Sequence, residues 1–109
     1  MPTVYKVLGQ SAPAATTLTT AYTVPAANSA VVSTINICNL LTSNTTYRLA
    51  VSPAGAAISN QHYLAYDIPI LGQDSVSLTI GMSLAATDVI RVYSASGSVS
   101  FSVFGSEIY

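Results

Sequence analysis

Charge is what this sequence has least of. Only 6% of its 109 residues are charged, against roughly 25% in an ordinary soluble chain. The complete set is Lys6, Arg48, Arg91, Asp67, Asp74, Asp88 and Glu107. Three basic side chains cannot build the phosphate-neutralising stripe that nucleic acid requires, so nucleic acid is excluded as a partner. Tryptophan is missing, and histidine and cysteine occur once each. A single cysteine excludes an internal disulfide; Cys38 is expected as a small buried apolar residue within a strand. So few thiols and imidazoles leave no ligand set at zinc spacing, and no residues call for a cofactor. Ser, Thr, Gly or Pro interrupts every apolar run, so none reaches the length of a membrane span and no membrane partner is expected. The opening Met1-Pro2-Thr3-Val4-Tyr5-Lys6 lacks the charged start and apolar stretch of a secretion signal, as expected of a chain made and released in a cytoplasm or of one whose leader has already been removed.

What is present is apolar and neutral-polar. Half of the residues are hydrophobic, which excludes disorder of the highly charged kind. The length suits one domain, residues 1–109, with one core. Its surface must be covered by Ser, Thr, Asn, Gln and Ala. A formal net charge of −1 gives little self-repulsion, and near-neutral proteins associate readily. Part of the surface is therefore expected to be shared with neighbours.

Period-2 alternation dominates the chain. Tyr47, Leu49 and Val51 alternate with Thr46, Arg48 and Ala50. Val76, Leu78 and Ile80 alternate with serines and a threonine, and Val99, Phe101 and Val103 alternate with Ser98, Ser100 and Ser102. Such runs place apolar groups on one face and hydroxyls on the other, the pattern of half-buried antiparallel strands. Val4–Leu8, Thr19–Val24, Val31–Cys38, Gln61–Asp67 and Val89–Ser94 also read as strands, being rich in Val, Ile, Thr and Tyr. Turns fall at Pro25–Asn28, Leu41–Asn44, Pro53–Gly55, Leu71–Asp74, Ala85–Asp88 and Ala95–Gly97. About seven or eight short strands at such spacing predict an all-β, antiparallel β-sandwich of jelly-roll-like form. Residues 1–20 read as an N-terminal strand followed by an extended, low-complexity arm over Ser11–Thr20.

Catalytic signals are weak. His62 is expected at a strand surface or edge, since acid–base chemistry needs a positioned partner and a pocket. No Gly-x-Ser-x-Gly elbow marks any serine as a nucleophile. Asp67, Asp74 and Asp88 are read as solvated turn residues, with Asp88 opening a strand and bonding local backbone N–H groups. The chain is therefore expected not to be an enzyme. Tyrosine, at seven positions, is the suggestive residue type, because it favours contact surfaces. Arg48 and Arg91 interrupt apolar strands and are expected to pair with a carboxylate inside the chain or across an interface. The candidate interface set is Tyr5, Tyr22, Tyr63, Tyr66, Tyr109, Arg48 and Arg91. In a regular strand Tyr63 and Tyr66 face opposite sides and cannot stack on one sugar ring.

Several runs carry a resemblance. They are Tyr5-Lys6-Val7-Leu8-Gly9-Gln10, Tyr22-Thr23-Val24-Pro25, Val31-Val32-Ser33-Thr34, Ile37-Cys38-Asn39 and the Arg48–Gly55 stretch. The most characteristic is Leu84-Ala85-Ala86-Thr87-Asp88-Val89-Ile90-Arg91-Val92-Tyr93, followed by Phe104-Gly105-Ser106-Glu107. Together they resemble small virion structural proteins of tailed bacteriophages. The resemblance implies a place on the virus particle: a capsid decoration (cement) protein, or a tail, neck or baseplate part; the tyrosines and the polar Ser/Thr/Asn loops leave a host-surface recognition module as the alternative. The resemblance also implies the major capsid protein or other virion proteins as partners, a homo-oligomer with a trimer favoured, and no catalytic residues. Localisation would be the virion, assembled in the host cytoplasm.

Overall fold

The computed structural model describes residues 2–109. Its strands are β1 (Thr3–Ser11), β2 (Thr19–Thr23), β3 (Ser29–Asn39), β4 (Thr45–Ser52), β5 (Tyr63–Ile70), β6 (Ser75–Leu84), β7 (Val89–Ser94) and β8 (Val99–Ile108). They form two four-stranded antiparallel sheets, ordered β1-β8-β3-β6 and β2-β7-β4-β5. Successive strands change sheet at every connection except β4–β5. The first strand pairs with the last, the second with the seventh, the third with the sixth and the fourth with the fifth. An eight-stranded ribbon folded on itself in this way is a jelly roll, in agreement with the alternation.

The core is where the two inner faces meet. Val32, Ile35, Ile37, Val99, Phe101 and Val103 come from one sheet and Tyr47, Leu49, Ile90 and Val92 from the other, all buried. Phe101 and Tyr47 touch edge to face across the interior, with ring centroids 6.3 Å apart. Strand β8 runs straight, while its neighbours slip: register shifts at Val7/Gly9 in β1 and Val32/Thr34 in β3 lie at one level across the sheet. Where β3 meets β6 at that level the shift recurs, and Gly81 there takes φ +65°. An extra residue bends its strand and resets which face later side chains take. This is how Val32 and Ile35, three apart, both point inward.

Loops are tied by side chains with local jobs. Asn39 is buried; its amide donates to the carbonyls of Ser43 and Leu71 at 2.9 and 3.1 Å, and its Oδ1 accepts from the Leu41 N–H at 3.0 Å. The Asp88 carboxylate accepts from the N–H groups of Ala54 and Ala85, both at 2.9 Å, as expected for a strand-opening carboxylate. Cys38 differs from its expectation: it is half-buried on the outer face of β3, because Ile37 and Asn39 take the inward positions. The segment expected as an arm is shorter and anchored. Ser11 belongs to β1, and Thr19 and Thr20 to β2. Residues 12–18 bridge the two sheets, with the Thr16 N–H donating to the Ser94 carbonyl at 2.8 Å.

Candidate functional site

The most organised surface cluster lies on the outer face of the β2-β7-β4-β5 sheet. Tyr47 and Leu49 point into the core, so Arg48 between them points out, opposite Tyr93 of β7. The Arg48 guanidinium stacks between two rings, 4.0 Å from the Tyr66 centroid and 4.1 Å from that of Tyr93. Asp67 grips it from the side, accepting from Nε at 2.7 Å and from Nη2 at 3.3 Å. That hydrogen bond, reinforced by the charge of the carboxylate, holds Arg48 above its ordinary pKa. Asp67 was expected as a solvated turn residue; it lies within β5 and provides the carboxylate that Arg48 needs.

Tyr63 and Tyr66 depart from the alternation rule, for an identifiable reason. Strand β5 slips against β4 twice, between Leu49 and Ala50 and between Tyr47 and Leu49. Asp67 takes φ +51° within the second slip, a conformation that Asp tolerates better than most residues. The two bulges turn Tyr66 toward Tyr63, and the rings meet perpendicular with centroids 4.9 Å apart. With Asn60 they line an open hollow of about 400 Å³. Asn60 stands on a short 3₁₀ turn, Asn60–His62, that is held shut reciprocally. The His62 N–H donates to the Ser59 carbonyl at 3.0 Å, and His62 Nδ1 accepts from the Ser59 N–H at 3.1 Å. The histidine is thus engaged in a structural lock.

The opposite sheet carries a second feature. Tyr5, Val7, Val31 and Phe104 lie on its outer face, with Val7 paired to Phe104 and Ser106 flanked by Tyr5 and Val31. Tyr5 is 85% exposed. The groove beside it, about 410 Å³, is walled by Tyr5, Val31 and Phe104 and floored by Gly105 and Ser106.

The remaining interface candidates divide. Tyr22 is a correction: its ring is in the core, because Tyr22 and Val24 share the inward phase of their segment, and its hydroxyl donates to Glu107 Oε2 at 2.5 Å. Glu107 is only 3% exposed and also meets Lys6 Nζ at 2.7 Å. Hydrogen bonds from Lys6 and Tyr22 outweigh burial and hold the Glu107 carboxyl below its ordinary pKa. Burial, then the bond to Glu107, pushes the Tyr22 phenol well up. Arg91 donates to Ser52 Oγ at 3.0 Å and toward the Gly55 carbonyl, so polar groups take the place of the expected carboxylate. Tyr109 is exposed at the chain end, where its N–H donates to the Pro2 carbonyl.

Sequence reasoning passed over Tyr93 and Glu107 as site members. Both were marked by phase: Tyr93 alternates outward with Arg91, and Glu107 continues the inward series Val99, Phe101, Val103. Among the described residues no group of three or more His, Cys, Asp or Glu side chains is placed to hold a metal ion. No known family model matches the chain, and a search of curated proteins found none significantly similar to it.

Proposed function

We propose that this chain is a structural part that works by protein–protein contact rather than catalysis. Within that reading it is a small virion component of the tailed-phage type, best placed as a decoration (cement) protein on the capsid shell. The observation that carries the contact reading is the apolar strip Tyr5, Val7, Val31 and Phe104 on a sheet face with little charge. Lys6, the nearest cation, is drawn to Glu107. An exposed apolar patch depleted of free charge is the composition of an interface centre. The resemblance in sequence pattern supplies the particle as its setting, with the major capsid protein and further copies of the chain as partners. A closed trimer is the expected form. Such binding stabilises a shell by mass action.

The test is light scattering on the purified protein together with co-sedimentation on capsid shells. The wild type is expected to run as a closed oligomer and to pellet with shells. Tyr5→Ser combined with Phe104→Ser should lose both properties while keeping the β-sheet circular dichroism. A wild-type monomer that stays in the supernatant would overturn the reading. Pelleting with tails in place of shells would move the protein to a tail, neck or baseplate position.

A further inference from the structure

We propose that the corner formed by Asn60, Tyr63 and Tyr66 is a binding site for a neutral pyranose sugar, distinct from the apolar strip on the opposite sheet. It goes beyond the assembly role and does not depend on it. Three features carry it. The first is shape: two tyrosine rings set perpendicular, 4.9 Å apart, beside an open hollow of about 400 Å³. That volume lies within the roughly 300–1,000 Å³ of ligand clefts. An aromatic face packs against the C–H face of a pyranose, and the second ring makes a wall rather than a parallel lid. The phenol hydroxyls and the Asn60 amide bring donors and acceptors to the ring's hydroxyls.

The second feature is preorganisation. Bulges that re-aim a side chain recur next to binding sites, and here two of them, with Asp67 at φ +51°, bring Tyr66 to Tyr63. Arg48 backs the Tyr66 ring at 4.0 Å and is itself held by Asp67. The Ser59–His62 lock fixes the turn that carries Asn60. Rings fixed beforehand lose little freedom on binding.

The third feature is charge, which selects the ligand class. A cation over Tyr66 would meet the Arg48 guanidinium stacked on the same ring. An anion would meet a guanidinium already neutralised by Asp67. A neutral polyhydroxylated ring suffers neither penalty. The sequence alone excluded a shared sugar platform at these tyrosines, because it assumed a regular strand; the bulges restore it.

Titration of the ¹⁵N-labelled protein with methyl pyranosides of glucose, galactose and mannose, and with N-acetylglucosamine, tests the site up to tens of millimolar. At least one sugar is expected to move the amide signals of Asn60, Tyr63 and Tyr66 together. Tyr66→Ala should weaken that binding about tenfold, and Tyr66→Phe should retain it, with the urea midpoints of both variants checking the fold. No movement with any of these sugars, unchanged binding in folded Tyr66→Ala, or a larger response to choline would each overturn the proposal. A sugar-binding monomer would fail the assembly reading alone, and a shell-binding oligomer blind to sugars would fail this one alone.

Discussion

Replacing Glu107 by Gln and Tyr22 by Phe, singly and together, probes the one carboxylate that is buried among the described residues. Glu107 on β8 accepts from Tyr22 on β2 at 2.5 Å and from Lys6 on β1 at 2.7 Å, so it staples an edge strand of each sheet. A hydrogen bond to a charged group is worth ~1.5–3 kcal/mol, and Tyr22→Phe should cost about that much. Glu107→Gln keeps the volume but weakens both bonds, for a similar loss of ~1–3 kcal/mol. Lys6 is substantially solvent-exposed, so its attraction is screened and the Tyr22 bond dominates. Both changes act on the same bond, one removing it and the other weakening it, so the double variant should cost less than the sum, with a coupling of ~1–2 kcal/mol. Urea unfolding resolves this, each single variant moving the midpoint by about 1 M. The pH dependence has a defined sign. The depressed Glu107 pKa means its contribution is complete above the ordinary carboxyl value of 4.5 and fades as pH falls through the folded value. The raised values of Tyr22 and Lys6 mean that theirs fade as pH climbs past 10.0 and 10.5 respectively. Glu107→Gln should flatten both limbs. Purely additive losses and an unchanged acid limb would refute the staple.

Three further substitutions, at two positions, test the loops. Asn39→Ala strips hydrogen bonds from the Ser43 and Leu71 carbonyls and the Leu41 N–H and should cost ~2–4 kcal/mol in urea. Asn39→Asp should cost more at neutral pH, since a carboxylate can only accept and would face those same carbonyls. Gly72→Ala would put a Cβ 2.2 Å from the Thr42 carbonyl oxygen. The Thr42 and Ser43 atoms it would meet are all backbone, so the 40–44 loop must move, and a loss of ~1–3 kcal/mol by thermal melting is expected.

All eight strands were legible, three from an apolar alternation and five from their richness in Val, Ile, Thr and Tyr, each bounded by turn residues where Pro, Gly, Asn and Asp cluster. Pairing was not. Alternation reports the face of a residue and says nothing of its neighbour, so the meeting of β1 with β8 and the contact of Tyr22 with Glu107, 85 residues apart, stayed out of reach. Tyr22 itself could have been placed, since Val24 shares its phase. β5 is the opposite case. Its bulges shift the phase within a short strand, and nothing local in Tyr63-Leu64-Ala65-Tyr66-Asp67 announces them. A period-2 reading therefore sends the two tyrosines apart where the chain brings them together.

The geometry also separates the two proposed surfaces. Tyr5 and Phe104 stand on the outer face of one sheet, Tyr63 and Tyr66 on the outer face of the other, with the packed core between them. A partner seated on the first leaves the second open to solvent, so a protein fixed to a shell by its apolar strip would still display its tyrosine corner outward. The near absence of charge serves both. It would remove repulsion between copies at the strip, if copies meet there as proposed, and at the corner it confines the local field to a guanidinium and a carboxylate that cancel. Weak single-site binding of a sugar would then be multiplied by the number of copies the shell carries, provided the anchoring strip and the corner act without coupling. Their placement favours that independence, because no strand contributes to both.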